Sequence, residues 1–123
     1  MTWVQRTPEP IRRDVAAGGN VASGNVYVSR IGNVIELVLN GVVLANPLNQ
    51  TIVVLPVGFR PQASVIRIGS LDMGQAEPAA RLITQFNGTV QVLGHSQPLG
   101  KLYGALTWVT KDKTPAILPG VAA

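Results

Sequence analysis

The chain has 123 residues, ten of them Lys or Arg and six Asp or Glu, for a formal charge of +4. With 46% hydrophobic and only 13% charged residues, it excludes a disordered chain, which needs high charge and little to bury. It also excludes a basic tail acting through charge alone. The absence of Cys removes disulfide frameworks and thiolate metal sites from consideration.

This length makes one ordinary domain. The longest apolar run, residues 52–57, is broken by Pro56 and falls far short of the roughly 20 residues a membrane helix needs. Residues 1–8 lack the apolar core of a secretory signal. The expectation is a chain that starts at its native Met, is soluble when made and does not insert into membranes. So few charges leave apolar side chains uncovered on an isolated subunit, and a second subunit is the simplest cover.

Residues 1–20, with Pro8, Pro10, Arg12, Arg13 and Gly18-Gly19, read as an extended N-terminal arm, with Trp3 and Val4 as apolar contacts and Arg12 and Arg13 as charged ones. A domain over 21–110 follows. Within it, alternation over 25–30 places Val26 and Val28 on one face, and over 34–39 it places Ile35, Leu37 and Leu39 together. Gly32-Asn33 between these runs predicts a hairpin. Strands are expected at 51–55, 64–68 and 104–110, with a short separate one near 42–44. Residues 82–86 and 89–93 flank Asn87-Gly88, the favoured type I′ pair, with Phe86 at a core-facing position. The one helical candidate, 75–82, is cut short by Pro78. Residues 111–123, with Pro115 and Pro119, read as a C-terminal tail. The prediction is an all-β protein: an antiparallel, jelly-roll-like sandwich of seven or eight strands with extended arms at both ends.

Chemistry-bearing residues are sparse. The one His, His95, lies in a polar turn, and three Asp and three Glu are scattered along the chain. Asp72 and Glu77 could pair only within a loop-like stretch, where solvated acids are the ordinary expectation. No nucleophile elbow or glycine-rich phosphate loop occurs. The expectation is no enzyme, no catalytic or metal residues and no cofactor. Basic residues scattered without aromatic platforms argue against nucleic acid as a partner.

The most informative segment is 55–61, in which Leu55, Pro56, Gly58, Phe59, Arg60 and Pro61 form a rigid corner. Pro56 fixes one φ, Gly58 admits another that most residues avoid, and Pro61 ends backbone donation. Phe59 is the candidate plug for the open end of a sandwich. Arg60 is left to bond carbonyls or an acidic neighbour.

The hairpin 26–37, a strand, the string Leu-Pro-Val-Gly-Phe-Arg-Pro at 55–61 and the Asn-Gly hairpin at 82–93 together resemble a module of tailed bacteriophages. In that family it forms the terminal β-sandwich of tail fibres, receptor-binding-protein heads and minor tail proteins, often as trimers. The resemblance spans roughly residues 20–110. It implies a non-enzymatic virion protein at the tail tip or fibre, a homotrimer contacting other virion proteins and contributing to host attachment, made in the host cytoplasm. The short arm before the module favours a small free-standing subunit. Two alternatives stay open: a capsid decoration protein that stabilises the head, and a module binding host cell-surface saccharide through loops 45–50, 70–80 and 94–101.

Overall fold

The computed structural model describes residues 11–46, 49–61, 67–70, 81–93 and 101–123, with 67–70 described as backbone only. Among the described residues nine strands lie in chain order: β1 (Ile11–Asp14), β2 (Val21–Ile31), β3 (Val34–Leu44), β4 (Thr51–Val54), β5 (Arg67–Ser70), β6 (Arg81–Thr84), β7 (Thr89–Leu93), β8 (Leu102–Val109) and β9 (Val121–Ala122). One 3-10 turn at Ala16–Gly18 joins β1 to β2. The strands form two antiparallel sheets, ordered β8-β3-β2-β1-β9 and β4-β7-β6-β5. In the second sheet β5, β6 and β7 follow one another and β4 returns beside β7, a Greek-key order. The protein is an all-β sandwich. No helix among the described residues is long and apolar enough to cross a membrane.

Alternation produces the layers. On β2, Val26 and Val28 point inward, and on β3 so do Ile35, Leu37 and Leu39; all are buried. They meet Ile52 of β4, Leu82 of β6, and Val90 and Val92 of β7 in one core cluster. Beyond Leu39 the inward residues become Val42 and Leu44, a change of parity. The register slips between Asn40 and Val42, where Gly41 has φ +64°. This β-bulge re-aims the side chains without ending the strand. The separate strand expected near 42–44 is therefore the far end of β3.

Both expected arms differ from the fold. Residues 11–14 are not part of an arm: they pair with β2 along their length, Ile11 opposite Arg30 and Asp14 opposite Tyr27. The tail returns as β9 on the other side of β1, Asp14 opposite Val121. Arg13 donates to the carbonyls of Pro119 (2.8 Å) and Gly120 (2.9 Å), tying the two ends together. The sandwich thus takes in residues 11–14 and Val121–Ala122. Trp3 and Val4 lie outside the described residues, as do His95, Asp72 and Glu77.

The β6–β7 hairpin also departs from expectation. The Gly88 amide donates to the Gln85 carbonyl (2.9 Å) and the Gln85 amide to the Thr89 carbonyl (3.0 Å). The loop is therefore three residues, 86–88, and not the two-residue Asn87-Gly88 turn. The widening lifts Phe86 out of the strand, and it is 52% exposed where a core position was expected. Of the strand expected at 64–68, only 67 and 68 fall among described residues. Of the helical candidate at 75–82, Arg81 and Leu82 belong to β6.

Asp14 clips β1 to β2. Its Oδ1 accepts from the Ala16 (3.0 Å) and Val26 (3.4 Å) amides and its Oδ2 from Asn25 Nδ2 (2.9 Å). Burial alone would raise its pKa. The three hydrogen bonds outweigh that and hold it below the ordinary 3.8. A carboxyl with a depressed folded pKa contributes stability that is present above the unfolded value and is lost as pH falls through the folded one. Between pH 5 and pH 2 the wild-type protein should lose more stability to denaturant than the Asp14→Asn variant, measured by urea midpoints at each pH. Thr84, fully buried, has a hydroxyl with no hydrogen-bond partner. A desolvated, unpaired hydroxyl costs about 1 kcal/mol or more, so Thr84→Val should raise the stability by about that amount in the same titration.

Candidate functional site

The site is built at the end of the sandwich where the β2–β3 turn, the 55–61 loop, the β6–β7 tip and the segment after β8 converge. Its centre is Arg30. Val26, Val28 and Arg30 share the inward face of β2, so the alternation that buries the two valines also buries Arg30, which is only 4% exposed. Arg30 Nε donates to the Gly32 carbonyl (2.8 Å). Its Nη1 donates to the Gly58 carbonyl, and its Nη2 to the Asp112 carbonyl (2.8 Å) and to Asn33 Oδ1 (3.3 Å). One side chain thus holds three separate stretches of chain.

The 55–61 corner answers from its own side. The Gly58 amide donates to Asp112 Oδ2 (2.9 Å), the Phe59 amide to the Pro56 carbonyl (3.2 Å), and Arg60 Nε to the Leu55 carbonyl (3.0 Å). Phe59 is fully buried, closing the open end of the core, and its carbonyl accepts from Trp108 Nε1 (3.0 Å). Leu55 and Pro61 are buried and Pro56 is half-buried. Gly58 sits at φ +107° with Pro115 against it: a Cβ there would lie 2.4 Å from the proline ring. The hairpin tip locks on through the Leu55 amide, which donates to the Gly88 carbonyl (2.7 Å). A Cβ on Gly88 would stand 2.1 Å from the Leu55 carbonyl oxygen, so only glycine lets the tip dock.

Of the residues singled out from sequence, this end unites Leu55, Pro56, Gly58, Phe59, Arg60, Pro61, Gly32, Asn33 and Gly88. Asn87 serves the tip itself, its Oδ1 accepting from the Thr89 amide (3.0 Å). Arg12 and Arg13 lie on β1 instead. Arg30, Trp108 and Asp112 were missed as members of the site. The signal for Arg30 was present, since it continues the two-residue spacing of Val26 and Val28.

Around this bonded centre the surface is apolar. Nine large hydrophobic residues are exposed among the described residues, and six of them flank this end: Ile31, Val34, Val54, Val57, Phe86 and Val109. Their exposures run from 45% for Val109 to 62% for Val54. Lys111 and Lys113 are exposed beside them, and Arg60 is half-buried. Such a rim suits a docking surface with a basic border. Among the described residues no three His, Asp or Glu side chains gather as metal ligands. Comparisons with protein-family models, curated proteins and solved structures give no match to this chain.

Arg30→Met keeps the side-chain bulk and removes every donor, leaving the Gly32, Gly58 and Asp112 carbonyls short of a partner. At about 1 kcal/mol or more per orphaned group, the variant should lose about 3 kcal/mol of stability by urea denaturation. Arg30→Lys should lose nearly as much, because a single ammonium cannot reach carbonyls in three directions.

Proposed function

We propose that the protein is a non-enzymatic structural subunit of a tailed bacteriophage particle. It acts as a β-sandwich module at the tail tip or fibre that assembles with copies of itself and with other virion proteins, and contributes to host attachment. The observation that carries this reading is the apolar, basic-bordered end. Six half-exposed hydrophobic residues on a chain so poor in charge are costly to leave in water and gain roughly 25 cal/mol for each Å² covered. The rigid scaffold beneath, held by Arg30 and the 55–61 corner, presents that surface in one shape, which lowers the ordering cost of docking. The two-sheet architecture is the one the phage module implies. A homotrimer is the copy number implied by the same resemblance.

The mechanism is assembly by burial. The basic border of Lys111 and Lys113 favours an acidic partner surface and would speed encounter with it. A place over the capsid is the second reading, favoured by the same positive border.

Antibody labelling of particles, read by electron microscopy, tests this directly. Gold at the tail tip or fibre is expected. Label over the head would move the protein to the capsid reading, and particles lacking the chain by mass spectrometry would overturn the structural role.

A further inference from the structure

The outer face of the five-stranded sheet adjoins the apolar end, sharing Ile31, Val34 and Val109 with it, and carries a charge pattern of its own. One cross-strand row runs Arg12 on β1, Ser29 on β2, Glu36 on β3 and Thr107 on β8. Arg12 and Glu36 are both exposed and stand one strand to either side of β2, about 10 Å apart. The Arg12 guanidinium lies over the Tyr27 ring, 4.4 Å from its centroid, against the sheet. The row floors a shallow depression of about 330 Å³, bounded on one side by Ile31 and Val34. The rows to either side are Ile31, Val34 and Val109, and Tyr27, Val38 and Ala105.

From this arrangement we infer that two copies of the chain pair face to face through this sheet, about a two-fold axis running parallel to β2. Such an axis carries β1 of one subunit over β3 of the other. Arg12 of each copy then opposes Glu36 of its partner, and both contacts form at once. Residues on a two-fold axis meet their own copies, so a charge there would repel itself. The outward residues of β2 are Asn25, Tyr27, Ser29 and Ile31, all neutral. The third charge on the face, Asp14, is turned back onto Asn25, Ala16 and Val26.

Composition agrees. Of the twelve outward positions of β2, β3 and β8, seven are Tyr or aliphatic, four are neutral polar and one is Glu36, with not one lysine, a composition closer to an interface than to a solvated sheet. β2, β3 and β8 run about eight residues across this face and β1 four, an area of roughly 400 Å² per partner, at the small end of specific interfaces. Facing sheets pack about 10 Å apart, a gap that Arg and Glu side chains bridge. The inference goes beyond the particle reading and stands without it. It makes the copy number even: two, or six where a three-fold ring forms as well.

Light scattering and sedimentation of the full chain test it by charge exchange. The wild type should show twice the 13.0 kDa chain mass, or six times that mass. Arg12→Glu and Glu36→Arg, at exposed positions, should each weaken pairing at least tenfold, since both contacts then set like charges together. An equimolar mixture of the two variants should recover pairing, because every 12–36 contact again joins opposite charges. A chain carrying both substitutions should recover it too. A wild type that is monomeric at about 100 µM overturns the inference. So does pairing that survives either single substitution, or a mixture that stays monomeric. A three-copy wild type unaffected by Arg12→Glu would overturn the two-fold pairing and leave the assembly reading standing.

Discussion

The guanidinium of Arg30, bonded to the Gly32, Gly58 and Asp112 carbonyls, is the interaction on which this end of the sandwich depends. Taking a cation out of water costs several kcal/mol even after relaxation. Among the described residues no carboxylate bonds it. The compensation comes from carbonyl dipoles and the Asn33 side chain, aimed along the fixed directions in which a planar guanidinium donates. The charge is tolerated because the three chain segments need those same bonds: without Arg30 the buried Gly58 carbonyl loses this donor and the partly buried Gly32 and Asp112 carbonyls lose the contact that holds their segments together. A buried cation satisfied in this way adds less to net stability than to uniqueness, since one geometry satisfies every donor and alternatives orphan several groups.

That constraint links fold to surface. With the β2–β3 turn, the 55–61 corner and the segment after β8 held together, Phe59 can seal the core from the end. Trp108 packs beside it, its indole committed to the Phe59 carbonyl. Ile31, Val34 and Val109 point outward by strand alternation, on the opposite face from the buried Arg30, Ile35 and Trp108. They therefore form a fixed apolar border instead of a collapsible one. The rigidity of the bonded layer and the exposure of Val57, Phe86 and Val109 are two consequences of one packing solution.

Much of this was legible in the chain. Period-two alternation located β2 and β3, and Gly32-Asn33 located the turn between them. The proline and glycine spacing of 55–61 marked a rigid corner. What escaped had physical reasons. A bulge at Gly41 changes side-chain parity, and a parity break reads as a strand end. One added loop residue at the β6–β7 tip exposes Phe86, and Asn87-Gly88 fits both loop lengths. The pairing of residues 11–14 with β2 and of Val121–Ala122 with β1 is long-range, set by edges that no local pattern announces. Arg30 was hidden by its chemistry: charge argues for solvent, and here the inward spacing won because carbonyls from its own turn and from two distant segments meet it.

The central claim is that Arg30 makes this loop-built end as firmly structured as the sheets. Amide hydrogen exchange by NMR tests it most directly on the unmodified protein. The Leu55 and Gly58 amides and the Trp108 indole N–H should exchange as slowly as the amides of central β3, opening only with global unfolding. Exchange of these groups at rates typical of exposed loops, with β3 still protected, would contradict it.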